Sequence, residues 1–215
     1  MKSQSTFQSD FFQRFPIVGI LRGFRLDTVC RITETVVENG LLNLEITMNT
    51  ELATEQIKKV KSMVGDQMNI GAGTVLSIDD LESALESGAE FIVTPVVNEE
   101  IIERCRQLSV PVFPGAYSPS EIERAWNAGA DMVKLFPADL LGPAYVKSVK
   151  APLPKIRIMP TGGIGLNNLS DYRKAGADGF GVGSPLFQKE RMENEDWVWL
   201  AQQVRSFKEF FEDEL

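Results

Sequence analysis

Two ionisable side chains stand inside stretches that otherwise read as hydrophobic strands. Lys134 lies in Asp131-Met132-Val133-Lys134-Leu135-Phe136-Pro137, and Glu45 lies in Leu42-Asn43-Leu44-Glu45-Ile46-Thr47. An ammonium group in an apolar strand loses hydration, which lowers its pKa and exposes a free amine, a nucleophile toward carbonyl carbon. Schiff-base chemistry needs such an amine. Strand alternation puts Asn43, Glu45 and Thr47 on one face and Leu42, Leu44 and Ile46 on the other. If the polar face points inward, Glu45 can shuttle the protons that carbinolamine, imine and enamine formation require. Two blander readings stay open at this point. Lys134 could snorkel outward, or the two residues could form a structural ion pair that costs desolvation.

Few other polar residues sit in or just after apolar runs. Arg22 follows the first run and Thr74 the third. Thr161-Gly162-Gly163-Ile164-Gly165 follows the seventh and Gly181-Val182-Gly183-Ser184 the eighth. Glycines without side chains let backbone N–H groups approach an oxyanion, so Gly162, Gly163, Gly183 and Ser184 are candidate phosphate contacts. Turn geometry alone is the competing explanation for each pair.

The elements that must position these residues repeat. Short apolar runs occur at Ile17–Leu21, Leu41–Ile46, Met68–Gly71, Glu90–Val93, Val110–Phe113, Asp131–Leu135, Ile156–Met159 and Gly179–Val182. Their spacing of roughly 20 to 27 residues is one strand, one helix and two turns. Helix starts are marked at Asp27, Ser77 and Ser118-Pro119. A recurring exit phrase, Glu38-Asn39-Gly40, Ser87-Gly88-Ala89-Glu90, Ala128-Gly129-Ala130-Asp131 and Ala175-Gly176-Ala177-Asp178, joins helix to strand. The expected fold is α/β, a single-domain (β/α)8 TIM barrel over residues 1–215, with an open doubly wound sheet as the alternative. The segment before Phe15 is expected to form a helix closing the barrel bottom, and Asp196–Glu212 a long amphipathic last helix.

Composition narrows the chemistry. Histidine is absent from all 215 residues, which removes histidine bases, Ser-His and Cys-His pairs and histidine metal sites. Two distant cysteines, Cys30 and Cys105, make neither a zinc cage nor a disulfide framework. Neither a metal nor another cofactor is expected. A net charge of -8 argues against nucleic-acid and anionic-membrane partners. The polar N-terminus, Met1 to Asp10, and the lack of a long apolar run lead us to expect a cytoplasmic protein.

Seven segments, in order, resemble the 2-keto-3-deoxy-6-phosphogluconate (KDPG) and 4-hydroxy-2-oxoglutarate (KHG) aldolase family. They are Gly19-Ile20-Leu21-Arg22-Gly23, Leu44-Glu45-Ile46-Thr47-Met48-Asn49-Thr50, Gly71-Ala72-Gly73-Thr74-Val75-Leu76, Val93-Thr94-Pro95, Val112-Phe113-Pro114-Gly115, Lys134-Leu135-Phe136-Pro137-Ala138 and Pro160-Thr161-Gly162-Gly163-Ile164. The resemblance implies a class I aldolase, a homotrimer of single-domain barrels. Its substrate is a small keto-deoxy sugar acid phosphate, cleaved to pyruvate and glyceraldehyde 3-phosphate; 4-hydroxy-2-oxoglutarate is a further candidate. By the same resemblance Lys134 is the Schiff-base lysine and Glu45 the general acid/base. Arg22 and Thr74 lie against the keto-acid end, Pro95 and Phe136 shape the pocket, and Thr161 touches substrate hydroxyls.

One position departs from the best-known pattern, which has arginine where this chain has Asn49. Loss of that cation turns a charge-assisted carboxylate contact into a neutral one. Together with Leu141-Gly142-Pro143-Ala144-Tyr145-Val146-Lys147, the asparagine looks more like the branch acting on the phosphogalactonate-derived epimer. Two competing functions remain: a phosphate-binding barrel with other chemistry, such as a sugar-phosphate epimerase or synthase, and a barrel that binds a metabolite without catalysis.

Overall fold

The computed structural model describes residues 6–212; Met1–Ser5, which include half of the polar N-terminal stretch, and 213–215 lie outside the described residues. The strands are β1 (Ile17–Leu21), β2 (Asn43–Thr47), β3 (Asn69–Gly73), β4 (Phe91–Val93), β5 (Val112–Phe113), β6 (Gly115–Ala116), β7 (Val133–Leu135), β8 (Ile158–Pro160) and β9 (Phe180–Val182). Each expected run overlaps one of them, and β2, β3 and β8 run one or two residues past the expected ends. The fifth continues past Pro114 as β6, so Lys134 lies on β7.

Every strand pair is parallel, in two sheets ordered β5-β4-β3-β2-β1-β9 and β6-β7-β8. The observed arrangement is therefore a curled parallel α/β fold with two hydrogen-bonded ladders, where one continuous eight-stranded ring was expected. The division falls at Pro114, which has no N–H to donate. On one side the Thr94 N–H donates to the Phe113 carbonyl, and on the other the Lys134 N–H donates to the Pro114 carbonyl. In ladder pairing the strand changes partner at the proline, from β4 to β7, although the Val112 carbonyl already accepts from the Asp131 N–H on the β7 side. At the far edges Thr161 bridges Gly181 in parallel, and the Asp178 N–H donates to the Ile158 carbonyl at 2.9 Å. The sequential strand order is not that of a doubly wound sheet.

Helices follow the strands: α1 (Ser9–Arg14) precedes β1, then α2 (Leu26–Glu38), α3 (Ala53–Val64), α4 (Ile78–Glu86), α5 (Glu99–Leu108), α6 (Pro119–Ala128), α7 (Gly142–Lys150), α8 (Leu169–Lys174), α9 (Lys189–Glu193) and α10 (Trp197–Glu212). Ser77 and Ser118 close capping boxes with Asp80 and Glu121, satisfying N–H groups that the first helical turn leaves free. Asp27 lies inside the first turn of α2, whose N-cap is Arg25, so it complements the helix dipole without capping.

The exit phrase does two jobs. Gly40, Gly88, Gly129 and Gly176 all take positive φ, which ends a helix cheaply. In three of the four repeats the acid that follows then pins the preceding strand: Glu90, Asp131 and Asp178 accept from the N–H of Ile70, Val112 and Ile158.

Alternation separates two apolar layers. Leu44, Ile46, Val133 and Leu135 face the helices, sharing a core with Ile32, Ile57, Val204 and Phe207. Val18, Phe91, Val93, Phe113, Met132 and Met159 form a second cluster, closed by Phe7 and Phe12. Below it, Asn69 donates to Asn43 Oδ1 and to the Gln8 carbonyl, and accepts from the Gln8 N–H. Buried amides paired in this way tie the segment before β1 to the strand bases. Among the described residues no helix is long and apolar enough to cross a membrane.

Candidate active site

Lys134 and Glu45 project from β7 and β2 above the inner apolar cluster, Lys134 at 3% exposure and Glu45 at 1%. Two glycines of β3 make room for neighbouring side chains, Gly71 for Phe91 of the inner cluster and Gly73 for Glu45. A β-carbon at Gly71 would meet the Phe91 ring at 2.4 Å, and one at Gly73 would meet Glu45 Oε1 at the same distance. The Gly71-Ala72-Gly73 motif is thus a space requirement.

Neither carboxylate oxygen of Glu45 has a hydrogen-bond partner among the described residues. Among the described residues no ion pair joins it to Lys134, so the structural ion-pair reading does not hold. The two still sense each other. Burial pushes the Glu45 carboxyl above its usual range, while the positive charges of Lys134 and Arg22 pull it back. Burial also pushes the Lys134 amine below its usual range; the Glu45 charge opposes this and Arg22 adds to it. Both shifts favour the neutral forms, a free amine beside a carboxylic acid. Lys134 Nζ also lies 4.9 Å from the Phe136 ring centre, a contact that holds the chain end over an apolar face.

Above this pair opens a cleft of about 340 Å³, lined by Arg22, Lys134, Phe136 and Thr161 and by Gly162, Gly163, Gly183 and Ser184. Eight of the residues singled out from sequence therefore converge on one cavity. It lies at the C-terminal ends of β1, β7, β8 and β9, where parallel α/β enzymes build their sites. Thr161, 4% exposed, faces Gly181, at which a β-carbon would crowd its Oγ1. Gly162 and Gly163 have φ of +101° and +69°, turning the chain where a side chain would be strained. Thr74, behind the cleft, accepts from Arg22 Nη2 at 3.3 Å. Its φ of +55° is rare for a β-branched residue.

Asn49 and Pro95 stand apart from the cleft lining. Asn49 is exposed in the turn after β2, and the carbonyl of Pro95 presses on Gly115, where a β-carbon would lie 2.3 Å away. Sequence reasoning missed Phe24, Phe187 and Lys189, which do line the cleft. Lys189 follows Ser184 by five positions, and following the chain beyond the glycine pair would have brought it into view.

A desolvated lysine, a buried carboxyl group and a glycine-walled recess at the strand ends suit carbonyl chemistry on anionic substrates. The chain belongs to the KDPG and KHG aldolase family, whose pattern matches residues 9–203; it is an aldolase, a carbon–carbon lyase. It is 35% identical over 190 residues to the 2-dehydro-3-deoxy-phosphogluconate aldolase of Haemophilus influenzae, covering 88% of this chain and 89% of that one. It is 32% identical over 197 residues to the 2-dehydro-3-deoxy-6-phosphogalactonate aldolase of Escherichia coli, covering 91% and 96%. A solved structure described as native KDPGal superposes with a TM-score of 0.86 at 32% identity, over 93% of this chain and 95% of that one.

Proposed function

We propose that the protein is a class I aldolase that cleaves a 2-keto-3-deoxy-6-phospho sugar acid to pyruvate and glyceraldehyde 3-phosphate through an imine on Lys134. The observation that carries this reading is the desolvated Lys134 amine in the cleft wall, with an unpartnered carboxyl group behind it. Lys134 Nζ attacks C2 of the keto acid, and Glu45 donates the proton that lets water leave the carbinolamine. The resulting iminium draws electrons. Glu45, now ionised, takes the C4 hydroxyl proton; the C3–C4 bonding pair moves toward nitrogen, releasing the aldehyde and leaving an enamine. Protonation at C3 and hydrolysis yield pyruvate and the free amine.

Arg22 and Thr74 hold the keto-acid end, Phe136 and Thr161 flank the chain, and Gly162, Gly163, Gly183 and Ser184 receive the phosphate. With this imine as the electron sink no metal is required, and thorough chelation leaves turnover unchanged. Borohydride added with pyruvate should trap a covalent adduct on Lys134, read by mass spectrometry. A wild-type enzyme without adduct, or an adduct persisting in Lys134→Ala, overturns the mechanism.

Relatives named for both C4 epimers match at similar identity, and Asn49, where the best-known pattern has arginine, favours the phosphogalactonate-derived one. Turnover on the phosphogluconate-derived, phosphogalactonate-derived and unphosphorylated hydroxy-oxoglutarate substrates tests this. We further infer one barrel domain, closed through the Thr161–Gly181 bridge and the strand that changes partner at Pro114, with α1 at its base. The homotrimer implied by the family resemblance belongs to the same proposal, and sedimentation equilibrium tests it. Cytoplasmic residence accords with the unpaired Cys30 and Cys105.

A further inference from the structure

We propose that Lys189 is a specificity-determining contact for the phosphate end of the substrate, a role that rests on the aldolase reading above. The cleft lining includes three cationic residues, Arg22, Lys134 and Lys189, and no acidic one. That bias appears in a chain of net charge -8, whose overall field repels a dianion. Two of the three are committed to the reacting end, since Arg22 and Lys134 are the charges that act on Glu45. Lys189 is left for the other end. Its segment is firmly placed: the N–H groups of Leu186 and Phe187 both donate to the Gly183 carbonyl at 2.9 Å, and both side chains are buried. This turn brings Lys189 back to the cavity that Gly183 and Ser184 line.

The side chain itself is free to act. Its ion pair, with Glu193, spans 3.8 Å between side chains 74% and 62% exposed, a loose and salt-screened contact that a phosphate dianion displaces easily. Backbone N–H groups supply shape at the phosphate site, and Lys189 supplies the charge that distinguishes a phosphorylated end from a hydroxyl.

The test uses the intact enzyme in the condensation direction, pyruvate with either glyceraldehyde 3-phosphate or unphosphorylated glyceraldehyde. Lys189→Gln raises KM for the phosphorylated acceptor by about fivefold, the weight of one exposed charge contact. Its kcat, and its KM for glyceraldehyde, stay as in wild type. Lys189→Arg, which keeps the charge, stays within about twofold of wild type. The variant's KM for the phosphorylated acceptor also responds less steeply to salt than that of wild type. Equal KM values for Lys189→Gln and wild type, an equal rise with both acceptors, or an Arg variant as impaired as the Gln variant overturns the proposal. Borohydride trapping with pyruvate is run in parallel. An intact adduct with no acceptor discrimination sinks the Lys189 role alone, whereas a missing wild-type adduct sinks the aldolase mechanism and this inference with it.

Discussion

A β-carbon on Gly73 would stand 2.4 Å from Oε1 of Glu45, so the glycine on β3 is what makes room for the carboxyl group on β2. The register pairs Glu45 with Gly71 and Thr47 with Gly73, which leaves the Glu45 side chain leaning forward over Gly73. Gly73→Ala should keep the backbone, because φ there lies outside the left-handed region, yet it must displace Glu45. A shift of about 1 Å in a catalytic group can cost on the order of a hundredfold in rate. We expect kcat to fall at least tenfold, with a melting curve close to wild type. Unchanged kcat would show that Glu45 tolerates relocation.

The pH profile should carry the mutual influence of Lys134 and Glu45. Attack needs the neutral amine, so adduct formation rises as pH passes upward through the lowered Lys134 pKa. The Glu45 charge raises that pKa and Arg22 lowers it. Glu45→Gln therefore moves the limb to lower pH, and Arg22→Gln moves it to higher pH. Rates of borohydride trapping with pyruvate from acid to alkaline pH measure both. Parallel shifts in the two variants would contradict the charge assignment.

Burial without hydrogen bonds makes Glu45 a burden on folding. A carboxyl whose folded pKa is raised binds its proton more tightly in the native state. Its destabilising effect is absent below the unfolded pKa and grows as pH rises through the folded one. Glu45→Gln is expected to be more stable than wild type by about 1–3 kcal/mol near neutral pH, with the gap closing in acid. Urea denaturation at several pH values reads this directly, and a variant less stable at neutral pH would imply an unseen partner for the carboxylate.

At Gly163, φ of +69° combines with a β-carbon position 2.7 Å from Asp139 Cβ. Gly163→Ala has to move the turn that faces the cleft, at a cost of about 1–3 kcal/mol. KM for phosphorylated substrate should rise tenfold or more while pyruvate trapping at Lys134 persists. Loss of trapping would place the turn's influence at the reacting end.

The repeating pattern, the polar intruders and the glycine pairs were all legible along the chain. Each expected strand run overlaps an observed strand, because a strand buried on both faces must be continuously apolar. Lys134 and Glu45 stood out because a charge in such a run needs a reason. The end of the fifth strand was not legible, since a change of partner at Pro114 depends on which neighbours lie on either side. Pro95 and Asn49 illustrate another limit. The sequence places them just after strands, yet only packing shows Pro95 against Gly115 and Asn49 facing solvent.

What the sequence determined by itself was a parallel α/β architecture and the kind of chemistry, because periodicity, hydrophobicity and the absence of histidine are properties of the chain alone. Tertiary structure decided that Lys134 and Glu45 are electrostatic neighbours without being an ion pair. It decided that Gly73 is the space Glu45 occupies, and that Lys189 returns to the cleft. These are distances between residues on different strands and turns, fixed by how the sheets curl and where the turns fold back, and they exist only once the chain has folded around its inner core.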